Sequence, residues 1–224
     1  MTLADARARE SRGKRETMSA IRLLVLGAVR QHGRAHGYAV RGDLEFWGAH
    51  EWSNAKPGSI YHALRQLARQ GLLRQYETGP STAGGPPRTE YELTAAGEDE
   101  FMRLLRHALA AVDEKEDMLT SGVGFIVDLP REEAVALLRQ RVAALEEWRR
   151  EVTRNWSPDE NTPDEWGHIG EIMKLWIHNA DSGVRWARAL ARRLEDGAYV
   201  MAGEGERQLD VLPPGTPRPR PPQT

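Results

Sequence analysis

The chain has 224 residues, 40% of them apolar and 29% charged, and its 31 Lys and Arg against 33 Asp and Glu give a net charge of -2. That is enough apolar chain for one large or two modest domains, and the near-neutral balance excludes both a disordered polyelectrolyte and a uniformly basic nucleic-acid coat. The charge is unevenly spread: 16 basic and 12 acidic residues up to Ala111 (net +4), then 15 and 21 (net -6), so the two halves are expected to do different work. With no cysteine there is no disulfide, thiolate zinc site or Cys nucleophile. The longest apolar run, Leu23 to Val29, is far below the ~20 residues of a membrane helix. Asp5, Glu10 and Glu16 interrupt the Arg-rich start, so no secretory leader is expected. The expectation is a cytoplasmic protein with no membrane partner.

In chain order, Ile21, Leu24, Val25, Ala28 and Val29 mark one helical face, with Ser19 at the N-cap position. Gly33 and Gly37 break that pattern, and Val40, Leu44 and Trp47 predict a second helix ending near Gly48. Asn54 to Gly58 reads as a turn. Pro57 then opens a third helix whose buried stripe is Ile60, Leu64 and Leu67 and whose end is marked by Gly71. Leu72 to Thr78 and Thr89 to Leu93 read as a two-stranded hairpin with a long tip rich in Gly and Pro. Thr94 caps a further helix with Phe101, Leu104, Leu105 and Ala108 on one side and Glu98-Asp99-Glu100 in its first turn.

The second half is expected to be helical throughout. One helix starts at Pro130 and places Val135, Leu138, Val142, Leu145, Trp148, Val152 and Trp156 on one face; Ser157 to Pro163 is the break. A second runs through Trp166, Ile169, Met173, Trp176, Ala180, Gly183, Ala187, Leu190 and Leu194 at alternating spacings of 3 and 4, a heptad seam. Ile172, Ile177, Val184 and Trp186 widen this band until more than one partner element is needed to cover it. The last twelve residues include six prolines, which predicts a disordered or polyproline-like tail.

The expected fold class is therefore mainly α: a winged helix-turn-helix with a two-stranded wing, followed by an all-helical dimerisation domain. Residues 1–18 form a basic extension, 19–111 the DNA-binding domain, 112–200 the dimerisation domain and 201–224 the tail. In a winged helix the third helix enters the major groove. Here its outer face carries Ser59, His62, Arg65, Gln66 and Arg69, donors and acceptors suited to base edges, while Lys56, Ser59 and the first amides suit a phosphate. An ordinary solvated helix face has the same composition. The basic residues Arg7, Arg9, Arg12, Lys14 and Arg15 suit an arm on adjacent DNA, or equally a frayed helix that braces a dimer.

Leu23-Leu24-Val25-Leu26-Gly27, His36-Gly37-Tyr38, Pro57-Gly58-Ser59-Ile60-Tyr61-His62-Ala63-Leu64, Gly85-Pro86-Pro87-Arg88 and Tyr91-Glu92-Leu93-Thr94-Ala95-Ala96-Gly97, in this order, resemble the PadR family of bacterial transcription regulators. The resemblance covers about residues 18 to 110, and the helical second half is similar to the family's longer C-terminal branch. It implies a homodimeric repressor, less often an activator, on a pseudo-palindromic operator of double-stranded DNA, released by a small molecule or other signal. Matching residue by residue makes Ser59, Tyr61, His62 and Arg88 DNA-contact candidates beside Lys56 and Arg65.

Five of the seven tryptophans, Trp148, Trp156, Trp166, Trp176 and Trp186, lie in the second half. Trp176 and Trp186, with His178 and Asn179 alongside, could hold a small planar effector, or the tryptophans could fill a dimer core. Trp166, Ile169, Met173, Trp176, Leu190 and Leu194 are the dimerisation candidates. No phosphate loop, nucleophile elbow or zinc-protease motif is present, so neither catalysis, a cofactor nor a metal is expected. The alternative reading is a winged helix used only for protein interaction.

Overall fold

The computed structural model describes residues 19–78, 88–155 and 167–205. They fall into two compact units: one of residues 19–105 and Lys115–Val123, the other of Arg106–Glu114 and 124–205. No helix among the described residues is long and apolar enough to cross a membrane. The expected extension at 1–18, the wing tip at 79–87, the break at 157–163 and most of the tail lie outside the described residues, as do Trp156 and Trp166.

The first unit is built on α1 (Ala20–His32), where Leu23, Leu24, Val25, Leu26, Ala28 and Val29 are all buried. A helix apolar on nearly every side must be central, which is more than the single stripe read from the sequence. Ser19 does occupy the N-cap position, but its side chain makes no capping bond. Between Gly33 and Gly37 the chain forms a strand, β1 (Arg34–His36), where only a break is legible in the sequence. Next come α2 (Gly37–Phe46), the short α3 (Ala49–Trp52), reached through left-handed Gly48, and α4 (Pro57–Arg69). The hairpin is present as β2 (Leu73–Thr78) and β3 (Arg88–Leu93), antiparallel with Leu73 opposite Leu93 and Gln75 opposite Tyr91. β1 adds to its other edge, with Ala35 opposite Tyr91, so the sheet has three strands in the order β1-β3-β2 rather than two. Three residues bounded by glycines are too short to show a period of 2, which is why the sequence hides this strand.

Thr94 caps α5 (Ala95–Ala110) as expected: its Oγ1 accepts the Gly97 N–H at 3.1 Å. Phe101, Leu104, Leu105 and Ala108 are buried along it. The sequence reading has no counterpart for α6 (Glu116–Gly124) or for the 3-10 turn Ile126–Asp128, both within the segment expected to be helical.

The second unit is an antiparallel pair, α7 (Arg131–Asn155) and α8 (His168–Glu195). Ion pairs Arg139–Glu195, Arg188–Glu146 and Arg149–Asp181 register the two helices along their length. The buried stripe of α8 is Gly170, Ile177, Ala180, Val184, Ala187, Leu190, Ala191 and Leu194. The heptad seam read from the sequence holds from Ala180 onward, but upstream it lies one residue off, since Gly170 and Ile177 are buried where Ile169 and Trp176 are exposed. At Gly183 the two helices approach closely, since a Cβ there would sit 3.1 Å from Leu145 Cδ1. The C-terminus of α8 closes with Gly197 at φ +87 and the N–H of Ala198 donating to Arg193 O, a Schellman arrangement. Arg131 then caps the same end, donating to Leu194 O, to Ala198 O at 2.9 Å and to Tyr199 O at 2.8 Å while pairing with Glu204.

Two glycines make opposite predictions. A Cβ on Gly97 would lie 2.0 Å from the Leu72 carbonyl oxygen, whereas one on Gly42 would meet nothing within 4 Å. Urea denaturation is expected to show Gly97→Ala destabilised by about 3 kcal/mol and Gly42→Ala, exposed in the middle of α2, stabilised by about 0.5 to 1 kcal/mol.

Candidate DNA interface

α4 starts where Pro57 takes the first position and needs no donor, and it ends in a Schellman motif: Gly71, at φ +73, donates to Ala68 O and Leu72 to Leu67 O. Ile60, Ala63, Leu64 and Leu67 bury one face. Gly58, His62, Arg65 and Arg69 are exposed on the other, and Gln66 is half-buried beside them. Lys56, exposed, is the N-cap residue, and neither a side-chain cap nor an acidic residue occupies the first turn. The positive end of the helix dipole is therefore left to solvent.

Two candidates from the sequence shape the helix. Ser59 Oγ donates to Asn54 O at 2.6 Å and Lys56 O at 2.8 Å, so its proton is committed to the turn before α4. Tyr61 is half-buried, and a Cβ on Gly37 would come within 2.8 Å of its ring. Tyr61 and Gly37 thus set the close crossing of α2 and α4. His62, Arg65 and Lys56 lie on the accessible side, while Arg88 opens β3 with its side chain outside the described residues.

Ion pairing sorts the cations of this domain. Arg22, Arg30, Arg34, Arg41 and Arg103 each meet a carboxylate, from Glu100, Glu98, Glu90, Glu45 and Glu100 respectively. Arg34 also lies 3.6 Å over the Tyr76 ring, Tyr76 donates to Glu92 at 2.5 Å, and Arg74 reaches the Tyr76 hydroxyl. Among the described residues Lys56, Arg65 and Arg69 have no such partner. Apart from Arg74, which meets only the Tyr76 hydroxyl, the described cations of residues 19–105 without a carboxylate partner therefore lie on and just before α4. The sequence shows the charges but not their pairing, because the acids that neutralise Arg22, Arg30 and Arg34 are 56 to 78 residues away.

The second-half candidates do not converge. Trp176 and Trp186 are exposed, as are His178 and Asn179. Spacings of 3 and 10 put Asn179 and Trp186 near the side of Trp176, but His178, two residues on, is turned away by about 200°. A groove on α7 and α8 is lined by Arg139, Val142, Arg188, Ala191, Arg192 and Glu195 and includes none of the four. Of the dimerisation candidates, Ile169 and Trp176 are exposed and Met173 half-buried, while Leu190 and Leu194 are buried in the chain itself. No group of three or more acidic or His side chains suited to a metal occurs among the described residues.

A helix-turn-helix with a cationic outer helix and an adjoining β-hairpin defines a winged helix domain, the class found in DNA-binding transcription regulators. Residues 25–103 match the family model of the transcriptional regulator PadR-like family. The crystal structure of Bacillus subtilis PadR in complex with operator DNA is similar at 19% identity, covering 77% of this chain and 98% of that one with a TM-score of 0.35. That of Bacillus subtilis PadR in complex with p-coumaric acid gives 18%, 79%, 96% and 0.33. The PadR-like regulator BC1756 from Bacillus cereus gives 18%, 79%, 98% and 0.31. No curated protein matches the chain.

The foundation of the site has its own pH dependence. Burial alone would raise the Glu100 carboxyl, but hydrogen bonds from Arg103 and Arg22, with their charges, outweigh it and hold Glu100 below the ordinary carboxylate range. A lowered folded-state pKa stabilises above the unfolded value and is lost as pH falls through the folded one. Chemical denaturation of Glu100→Gln should therefore lose less stability than wild type as pH drops below about 4; parallel curves would show that the pair contributes nothing.

Proposed function

We propose that this protein is a homodimeric, sequence-specific DNA-binding transcription regulator, a cytoplasmic repressor that a small molecule or other signal releases from a pseudo-palindromic operator. The observation that carries it is the sorting of cations: those around the core are neutralised, and those on the outer face of α4 are not. Proteins bind the DNA backbone by exchanging such unpaired cations for condensed counterions, and read sequence through base edges in the major groove. In this reading residues 19–111 bind DNA, with Lys56 and Arg88 on phosphates and His62 and Arg65 at base edges. Ser59 and Tyr61 contribute through their free faces, and residues 1–18 add a basic arm.

Residues 112–200 form the dimer. Ile169, Ile172, Leu175 and Trp176 leave an exposed apolar ridge on the first half of α8, and contiguous patches of this kind rarely stay open on a monomer. A planar effector is assigned to the Trp176, Asn179 and Trp186 side of the same helix, where two indole faces are accessible.

Gel shifts with genomic fragments from around its own gene, at two salt concentrations, test the DNA reading. Arg65→Ala is expected to relax specificity at a cost of about 1 to 3 kcal/mol, and Lys56→Ala to weaken all duplexes alike and lower the salt slope by about one. Half-site centres should lie about 10 bp apart or a multiple of it. Wild-type affinity in both variants would show that α4 is not the reading helix. Sedimentation should give a dimer, and the double variant Ile172→Asp with Leu175→Asp a monomer of unchanged helicity; a variant that still dimerises would move the interface elsewhere.

A further inference from the structure

Tyr38 is the most exposed large apolar or aromatic side chain recorded between residues 19 and 105, at 57%. A free phenol on a surface helix would be expected to sample several rotamers, yet this ring is held. The His36 imidazole stacks on it with centroids 5.2 Å apart and planes 14° from parallel. His36 Nε2 lies 3.1 Å from Glu90 Oε1, so the stack is anchored to the sheet through β3. The Tyr38 hydroxyl has no hydrogen-bond partner among the described residues.

Its neighbour Gly37 is the point at which α2 meets Tyr61 of α4. Tyr38 therefore stands one residue from the point where α2 crosses the first half of α4. In helix-turn-helix proteins the first helix of the motif, here α2, crosses the DNA backbone while the recognition helix occupies the groove. A preoriented aromatic donor with an unused O–H on that helix suits a phosphate oxygen, and little entropy remains to be lost on binding.

We propose that the Tyr38 hydroxyl is a further DNA contact, donating a hydrogen bond to a backbone phosphate beside the groove that α4 enters; this rests on the DNA-binding reading above. The contact differs from that of Lys56 in one measurable respect. It is neutral, so losing it removes no counterion release.

The test uses the full chain, a duplex selected by it from a randomised pool, and an unrelated duplex of equal length. Tyr38→Phe removes one O–H and leaves the stacked ring in place, so its melting temperature should match wild type. Affinity for both duplexes is expected to fall about tenfold, with an unchanged slope of log K against log salt. Lys56→Ala, in contrast, should lower that slope by about one. Unchanged affinity in both Tyr38→Phe and Tyr38→Ala overturns the contact while leaving the DNA reading intact. A loss confined to the selected duplex overturns the phosphate assignment, since a base would then be the acceptor. A wild-type chain that enriches no duplex and binds neither overturns the DNA reading and this contact together.

Discussion

The placement of α4 depends on how the chain is fixed at Leu72. Immediately after α4, Leu72 donates back to Leu67 O, and its own carbonyl receives the Thr94 N–H at 3.1 Å, while the Thr94 hydroxyl donates to Gly71 O at 2.7 Å and lies 3.2 Å from Leu72 O. Gly97 packs so closely on the same carbonyl that no side chain fits. Two residues earlier, Gln70 Oε1 accepts from Arg22 Nη1 at 2.6 Å, and Arg22 is tied in turn to Glu100 of α5. One carbonyl and one guanidinium thus join the end of α4, the start of β2, the central α1 and the first turns of α5. The polar groups at this junction satisfy one another, as buried groups must.

With that junction closed, the domain can turn a nearly neutral stretch of sequence into a surface with one cationic side. The ion pairs of Arg22 and Arg30 lie where α1 meets α5, and the pair of Arg34 lies on the sheet. Each removes a positive charge from the general field of the protein. What remains unpaired on α4 is then available to a polyanion, with an uncapped helix N-terminus and no first-turn acid to oppose it. The motif residues Ser59, Gly37 and Tyr61 support this indirectly, by fixing the turn and the helix crossing.

The second unit uses a different logic. Its two long helices are held by small residues on α8 that admit the side chains of α7, and by one arginine, Arg131, that meets the carbonyls at the end of α8 and pins the segment to Glu204. Where α8 turns its large side chains outward, at Ile169, Ile172, Leu175 and Trp176, α7 does not cover them. The apolar band noted in the sequence as too wide for one partner is therefore divided, one side closed within the chain and the other open.

Local chemistry made much of the first unit legible. Pro57 and Gly71 bracket α4, Thr94 starts α5, and the apolar spacing of α4 separates its buried from its exposed face, all within a few residues of chain. Periodicity also gave both long helices of the second unit, because 3-4 spacing persists over many turns. Tertiary structure alone decided the rest. β1 is a strand only because β3 lies beside it, and Arg34 is neutralised only because Glu90 arrives on that strand. Upstream of Ala180 the seam of α8 lies one residue off the spacing legible in the sequence, with Gly170 and Ile177 buried where Ile169 and Trp176 are exposed. Sequence pattern reports which side chains share a face, whereas pairing and burial depend on which distant residues the fold brings against that face.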